Sequence, residues 1–195
     1  LLFLCLDASG QEKKRHQAAG AISFCSYNLR NWLAMDRFDG EKTIPGASKP
    51  EEEKEAVVAI ITAIRPDILG VCEIGGERDL KDLQQRLKAK GLDLPNTTSA
   101  HGGDPSRKLG LLTRFPIAAR NHQTDLTYQI GSLTLPFQRG ILNATVKVTD
   151  DFSLTCLGTH LKSMRPIPEA DQALMRRNEA HLVRRHIETI FAGDP

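Results

Sequence analysis

The sequence has few aromatic residues, no long apolar run and almost no net charge. Phe, Trp and Tyr make up only 5% of the chain, so the sequence does not predict an aromatic platform for stacking bases. A formal net charge of +2 is too small to indicate a nucleic-acid or membrane partner by itself. No apolar run approaches the roughly 20 residues of a membrane-spanning helix. The remaining composition is that of an ordinary globular protein, and 195 residues are enough for one sizeable core.

Cysteine motifs for metal binding are also missing. The four cysteines, Cys5, Cys25, Cys72 and Cys156, are far apart and lack zinc-ligand spacing. Three of them lie in apolar, strand-like segments, where free cysteine commonly packs as a small hydrophobe. The pattern favours core packing over a zinc site or a disulfide framework. Unpaired cysteines also weakly oppose an oxidising compartment.

The first 20 residues differ in composition from the rest. "LLFLCLDASG" is apolar and lacks an initiator Met, and the polar "QEKKRHQAAG" follows it. Two interpretations stay open: a signal-peptide remnant, which would imply export, or a short N-terminal strand or frayed leader. Residues 1–20 are therefore separated from residues 21–195, which we interpret as one domain because no linker composition interrupts them.

Hydrophobic periodicity predicts an α/β protein. Residues 21–28 alternate as a strand does, and the apolar run 67–73 is typical of a buried strand. Helices are predicted over 51–64, over 77–90 and from about 168 to 191. Several consecutive strands lie between the last two helices, at 108–114, 115–122, 141–149 and 152–160. Strands and helices alternate in the first part of the sequence, and hairpins are predicted in its middle. This order indicates mixed sheets with helices on their outer faces.

Finer features of two helices are also predicted. Ser48 and Glu51 have the spacing of a capping box around the start of the first helix. Its apolar face is predicted to contain Val57, Ile60, Ile61 and Ile64. The buried stripe of the last helix is predicted to contain Ala173, Ala180, Val183, Ile187 and Ile190.

Polar residues stand where several predicted strands end. Asn28 ends the first strand, Glu73 the second and His160 a later one, while Arg139 precedes "GILNATV". A carboxylate and an amide oxygen form part of a shell suited to Mg²⁺. An arginine fork suits phosphate oxygens, and a histidine can donate a proton to a leaving group.

Each of these residues alone also has a purely structural interpretation. Asn28 can satisfy a turn, and Glu73 can cap the next helix or pair with Arg78. His160 can be a structural histidine and Arg139 a solvated turn residue. Neither interpretation is excluded by the residues taken one at a time.

The ordered set of motifs points further. "SYNLRNW", "PDILGVCEIGG", "GLLTRFPI", "QRGILNATV" and "LGTHLKS" resemble successive motifs of the endonuclease/exonuclease/phosphatase superfamily, from about Ala21 to Phe191. The resemblance implies the deoxyribonuclease-I-like fold. That fold is a four-layer α/β sandwich, in which two mixed β-sheets pack face to face between outer helices.

The resemblance also implies roles for individual residues. Asn28 and Glu73 resemble the family's metal-site residues, and Glu73 resembles its metal-binding glutamate. Arg139 resembles the arginine beside the scissile phosphate, and His160 the histidine that contacts the phosphate and protonates the leaving group. Asn31 and Arg107 are substrate-binding candidates near the site.

Two motifs of the family are absent from the sequence. It has no "GD-x-N" after a later strand and no closing "D-H" pair. Asp194 in "AGDP" directly follows the last predicted helix, so we interpret "AGDP" as a helix stop. The sequence is therefore expected to be incomplete at its C-terminus and inactive as it stands. Lys108 also occupies a position where many relatives carry a polar or acidic residue.

The resemblance implies a Mg²⁺-dependent phosphoesterase, with Mn²⁺ as the alternative ion, that hydrolyses phosphodiesters in its complete form. A phosphomonoesterase of the same superfamily and a catalytically silent binding module stay open. The expected partner is a nucleic-acid, nucleotide or lipid phosphate ester, and the protein is expected to be a monomer. The basic pairs at 176–177 and 184–185 alternate with Glu179 and Glu188, which predicts a solvated helix face rather than a nucleic-acid patch.

Overall fold

The computed structural model describes residues 21–193, so the predicted leader and Cys5 lie outside the described residues. The helices of this part are α1 (Glu51–Ile64), α2 (Glu77–Ala89) and α3 (Gln172–Gly193). Its strands are β1 (Phe24–Trp32), β2 (Met35–Phe38), β3 (Thr43–Ala47), β4 (Ile68–Ile74), β5 (Asn96–Ala100), β6 (Lys108–Thr113), β7 (Ile117–Arg120), β8 (Thr127–Ile130), β9 (Leu133–Pro136), β10 (Leu142–Lys147) and β11 (Ser153–Gly158).

Two sheets form the centre of the molecule. The first has the order β1-β4-β6-β5; β1 and β4 are parallel, and the other pairs are antiparallel. The second has the order β11-β10-β7 and is antiparallel over its described strands, where a mixed sheet was predicted. The predicted hairpin around Asp150 and Asp151 is confirmed, because β10 pairs directly with β11.

The pleat of β4 distributes its side chains between two apolar cores. Leu69 and Val71 face α1 and α2, whereas Ile68 and Cys72 face the second sheet. On the far side of the second sheet, Met175 of α3 packs in a third core. The order is therefore helices, sheet, sheet, helix, which confirms the predicted four-layer α/β sandwich.

The start of α1 differs from the prediction. Pro50 occupies the N-cap position without a side-chain cap, so the capping box of Ser48 and Glu51 does not form. Three glutamates in the first turn instead stabilise the positive end of the helix dipole. The buried face contains Val58 and Ile61, while Ile60, predicted to be buried, is 42% exposed.

The last helix also presents a different face from the predicted one. It begins at Gln172, four residues after the predicted start, and continues through Gly193, so the first two residues of the predicted stop "AGDP" are helical, and Asp194 lies outside the described residues. Met175, Glu179 and Leu182 are its buried residues, whereas the predicted Ala173 and Ala180 are exposed. Larger apolar side chains bury more area than alanine, which favours the rotation that is observed. The prediction of a solvated Glu179 is wrong.

Several short strands were not predicted. The segment predicted as a polar loop contains the antiparallel hairpin of β2 and β3, and the β8–β9 hairpin and β5 were also missed. β2 and β9 contain only exposed and half-buried residues, and β3 contains Pro45 and Gly46. Short exposed strands of this kind lack the apolar signal on which strand prediction depends.

The cysteine prediction is confirmed for the described residues. Cys25, Cys72 and Cys156 are free thiols packed in or against the apolar cores. Burial, with the adjacent Glu73 charge, raises the pKa of Cys72 to about 11, which favours the protonated thiol near neutral pH. Within residues 21–193, no helix combines the length and apolar character needed to cross a membrane.

Candidate functional site

The parallel pairing of β1 and β4 brings the first two predicted site residues together. Asn28 stands opposite Cys72 in the register, so the next residue of β4, Glu73, lies beside it at the same sheet edge. Nδ2 of Asn28 donates to Oε1 of Glu73 at 3.1 Å. Residues 45 positions apart in the sequence thus share one corner of the fold.

The backbone around this corner is strained. Arg30, Asn31 and Glu73 have φ angles of 50°, 62° and 59°, in the left-handed region that non-glycine residues rarely adopt. The bend allows the Asn31 N–H to donate to Oε2 of Glu73 at 3.1 Å. Both oxygens of the Glu73 carboxylate are therefore fixed by donors from β1. Strained non-glycine residues concentrate at functional sites. Here the strained residues are Glu73 itself and two residues of the adjacent turn of β1.

Two cations behind the corner hold the strained turn. Nη2 of Arg37 donates to the Asn31 carbonyl at 2.7 Å and to the Leu33 carbonyl at 3.1 Å. Nζ of Lys49, only 4% exposed, donates to the Arg30 carbonyl at 3.2 Å and pairs with Glu53 at 2.5 Å. The β2–β3 hairpin, which was not predicted, therefore contributes Arg37 to the support of this turn.

The loop before β6 adds a carboxylate that the sequence motifs do not include, Asp104. Its backbone N–H donates to the Gln138 carbonyl at 2.8 Å. This close approach requires glycine at position 102, where a Cβ would lie 2.2 Å from the Phe137 carbonyl oxygen. Oδ1 of Asp104 accepts the N–H groups of Ser106 and Arg107, at 2.8 and 3.0 Å. Asp104 is thereby fixed beside the segment that leads into β10.

Asp104 links both predicted arginines. Its Oδ2 lies 2.8 Å from Nη1 of Arg139 and 3.7 Å from Nη1 of Arg107. Nε of Arg107 also donates to Oδ1 of Asn31 at 2.7 Å, which connects this loop to the Glu73 corner. Burial alone would raise the pKa of Asp104, but the backbone N–H groups and the two guanidinium groups hold it below its usual range. Asp104 is therefore ionised near neutral pH.

His160 completes the group. Its Nε2 lies 3.9 Å from Oε1 of Glu73, and its side chain is 26% exposed. Burial lowers the pKa of His160, the Arg139 charge lowers it further, and the Glu73 carboxylate partly offsets both effects. The neutral imidazole is thus favoured near neutral pH. Nδ1 of His160 and Nε of Arg139 are buried without a hydrogen-bond partner among the described residues.

All six predicted site residues belong to one connected group. Asn28, Asn31 and Glu73 form its acidic corner, and Arg107 and Arg139 face each other across Asp104. His160 lies between the two parts. Lys108, at the start of β6, pairs with Ile74 across the sheet, one position beyond Glu73. The group around Glu73 therefore contains two guanidinium groups, with the Asp104 carboxylate between them.

The donor set around Glu73 fits Mg²⁺ in part. This ion accepts one or two carboxylates and otherwise keeps water or substrate oxygens, and Glu73 offers one carboxylate that is 19% exposed. Within residues 21–193, no three His, Cys, Asp or Glu side chains form a metal cage by themselves. Asn28 turns its amide nitrogen toward Glu73, while its Oδ1 accepts the Arg30 N–H at 2.8 Å. Asn28 as a second ligand requires its amide to rotate and stays a prediction.

Asp104 is the main residue that sequence reasoning missed. Its signal was the "DPSR" segment, since Asp followed by Pro and Ser is typical of a turn in which the carboxylate accepts backbone N–H groups. That signal predicts the turn alone. The contact with Arg139 depends on the close approach of two loops, which local sequence does not show.

Comparisons with known proteins agree with this architecture at the level of fold. No family model matches the chain, and no curated protein sequence does. Among solved structures, TDP2 from Caenorhabditis elegans matches with a TM-score of 0.52 and 20% identity, over 89% of this chain and 44% of that one. Truncated Caenorhabditis elegans TDP2 matches with a TM-score of 0.50 and 19% identity, over 73% and 50% of the two chains.

A third match is an endonuclease/exonuclease/phosphatase family protein from Leptotrichia buccalis, with a TM-score of 0.49, 15% identity and coverage of 78% and 56%. The chain thus spans about half the length of these structures. The TDP2 matches establish the fold and not the activity, because the identities are low. The chain therefore shares the fold of these TDP2 structures, and the α/β sandwich that the ordered motifs implied is confirmed at the level of fold.

Proposed function

We propose that this chain carries the phosphate-binding part of a Mg²⁺-dependent phosphoesterase that acts on phosphodiesters in its complete form. The observation that carries the proposal is the placement of one carboxylate, Glu73, 3.9 Å from His160 within a rim that contains Arg107 and Arg139. A carboxylate that can hold a cation, close to guanidinium groups that can bind phosphate oxygens, suits an anion bound together with a divalent cation.

Each residue then has a definite task. Glu73 would hold the divalent cation, and Asn28 and the Asn31 N–H would keep its carboxylate in place. Arg139 and Arg107 would bind the non-bridging phosphate oxygens, and Asp104 would keep their guanidinium groups oriented. The neutral His160 would donate a hydrogen bond to the phosphate or to the leaving oxygen. When bound, the cation would neutralise charge that develops on the phosphate.

Neither carboxylate of this group is free to activate water. Asp104 is engaged by two backbone N–H groups and by Arg139, and Glu73 is the proposed ligand. We therefore expect the 195-residue chain to bind a phosphodiester and to hydrolyse it at close to the background rate. The substrate would be a nucleic-acid, nucleotide or lipid phosphodiester.

A Mg²⁺ titration by calorimetry tests the metal site. We expect Glu73→Gln to weaken Mg²⁺ binding by at least about tenfold, because an amide is a poorer ligand for a hard cation. Glu77→Gln is the matched control, since Glu77 is exposed at the start of α2 and the charge change is identical. Unchanged Mg²⁺ affinity in Glu73→Gln would exclude Glu73 as the ligand.

Binding of p-nitrophenyl esters distinguishes the candidate functions. A phosphodiesterase should bind bis-p-nitrophenyl phosphate in the presence of Mg²⁺ and lose this binding in Arg139→Gln. Preference for the monoester p-nitrophenyl phosphate would favour a phosphomonoesterase. Binding of neither ester would favour a silent module. Rapid release of p-nitrophenol that disappears in Glu73→Ala would show that the chain is active as it stands.

A further inference from the structure

A buried carboxylate on α3 lies outside the group described above. Glu179 is fully buried, although charged side chains are rarely buried without several partners. It lies on the face of α3 that packs against the second sheet, next to Met175 and Leu182. Its hydrogen-bond partners are therefore expected to belong to the elements that this face of α3 contacts.

The partners of Glu179 are two backbone N–H groups from different loops. Oε2 accepts the Lys162 N–H at 2.5 Å, and Oε1 accepts the Gln138 N–H at 3.4 Å. Lys162 follows His160 by two residues, and Gln138 directly precedes Arg139. One carboxylate thus contacts the backbone of both segments that carry the cationic side of the site.

Other contacts make these two segments dependent on α3. Nη1 of Arg176, one helical turn before Glu179, donates to the Lys162 carbonyl at 2.9 Å. The helix therefore binds both backbone polar groups of Lys162, the N–H through Glu179 and the carbonyl through Arg176. Nζ of Lys162 donates to the Arg165 carbonyl at 2.9 Å and closes the loop beyond His160. Residues 159–165 form no helix or strand that would otherwise fix them.

We propose that Glu179 is a positioning residue that sets the relative placement of Arg139 and His160 by holding the two backbone segments that carry them. The inference rests on the proposed function, because Glu179 would act through residues that are proposed to bind phosphate at the same site. Glu179 itself touches neither the substrate nor the cation. It acts through the Gln138 and Lys162 peptides.

The probe is inorganic phosphate, titrated without added metal and followed by NMR signals of the Arg139 and His160 side chains. We expect Glu179→Leu, which keeps the volume but accepts no hydrogen bond, to weaken phosphate binding by about tenfold or more and to shift the His160 ring signals. Glu179→Gln keeps one acceptor oxygen and should retain part of the affinity. Glu188→Gln is the matched control, since it makes the same charge change at an exposed position of α3.

Hydrogen exchange of the wild-type protein gives a second test, which needs no variant to fold. The Gln138 and Lys162 amides should exchange more slowly than the exposed Ser163 amide, because the Glu179 carboxylate protects them. Equal exchange rates would overturn the proposal, and so would a folded Glu179→Leu variant with wild-type phosphate affinity and unchanged His160 signals. Absence of phosphate binding in the wild type would contradict the proposed function instead, while amide exchange and the His160 signals would still decide the role of Glu179.

Discussion

Nη1 of Arg139 lies 2.8 Å from Oδ2 of Asp104, and this ion pair joins the loop before β6 to the segment that leads into β10. Both side chains are largely buried, with exposed fractions of 16% and 13%. The backbone of each loop is fixed as well, because the Asp104 N–H donates to the Gln138 carbonyl. The position of Arg139 is therefore determined by a carboxylate that belongs to no sequence motif of the site.

Replacing Asp104 by Asn should destabilise the protein by about 1–3 kcal/mol at neutral pH, because a buried guanidinium loses its countercharge. The folded-state pKa of Asp104 is lowered, so its stabilising effect is present above the ordinary carboxyl pKa of 3.8. It is lost as the pH falls through the folded-state value. Urea unfolding at about pH 7 and about pH 3 should show the wild type and Asp104→Asn converging in acid. Asp150→Asn, at a fully solvated turn, is the control and should change little at either pH.

The two sheets are joined by His122, and this contact should depend on pH. Nδ1 of His122 accepts the Asn143 N–H at 3.0 Å, and Nε2 lies 2.8 Å from Oγ1 of Thr98. Burial lowers the pKa of His122 below 6.5, and the Arg120 charge lowers it further. As the pH falls, His122 therefore binds a proton at a higher pH in the unfolded chain than in the folded protein. Stability should fall as the pH drops below about 6.5, and should level off below the folded-state pKa.

His122→Gln should reduce this pH dependence, because Gln supplies a donor and an acceptor but does not titrate. The measurement is the urea midpoint between about pH 8 and pH 5. A residual slope is expected, since the pKa values of His160 and His186 are also lowered by burial. His181→Gln, at an exposed position of α3, is the control. An unchanged slope in His122→Gln would show that His122 does not titrate differently in the two states.

Lys49→Met tests the support behind the strained turn. Met fills a similar volume but cannot donate to the Arg30 carbonyl, and Glu53 loses its partner. We expect a loss of about 1–3 kcal/mol in the free energy of unfolding, measured by urea denaturation. Mg²⁺ affinity should also fall several-fold, because the Asn31 N–H would no longer be held against Glu73. Lys42→Met, in the exposed tip of the β2–β3 hairpin, should leave both quantities unchanged.

The end of α1 offers a stabilising substitution. Arg65 has a φ of 51° at the C-cap, where its N–H donates to the Ile61 carbonyl. Glycine adopts this left-handed conformation without the steric penalty of a Cβ. Arg65→Gly should therefore raise the free energy of unfolding by about 0.5 kcal/mol, after the loss of the Arg65–Gly91 contact and the greater freedom of the unfolded chain are included. Arg65→Ala is the control, and thermal unfolding should rank it below glycine.

The sequence predicted those features that have strong local patterns. β4, α2 and the β10–β11 hairpin have clear apolar periodicity, and their positions are confirmed within a few residues. The six site residues were predicted because they lie at strand ends or in loops beside them, in an order typical of one superfamily; the structure brings them together, and their roles stay a prediction. The parallel pairing of β1 and β4 then accounts for the contact between Asn28 and Glu73.

Features that depend on tertiary contacts were not predictable. Glu179 looks like a solvated charge in the sequence, because glutamate beside arginine is typical of an exposed helix face. It is buried because two loops offer unpaired N–H groups at that point. The positive φ angles of Arg30 and Asn31 were not predictable either, because neither residue is glycine. The strain is offset by hydrogen bonds from Arg37 and Lys49, which are tertiary contacts.

The division of the site between distant segments has a kinetic consequence. Asn28, Asn31 and Glu73 belong to the β1-α1-β4 unit, whose contacts at this corner span 42 and 45 residues, whereas Arg107 meets Asn31 across 76 residues. Contacts of long sequence separation form late, because more chain must be ordered first. Trp32, the chain's single tryptophan, is buried in the early unit and bonded to Asp82. Its fluorescence should therefore reach the native value before the contact between Arg107 and Asn31 forms.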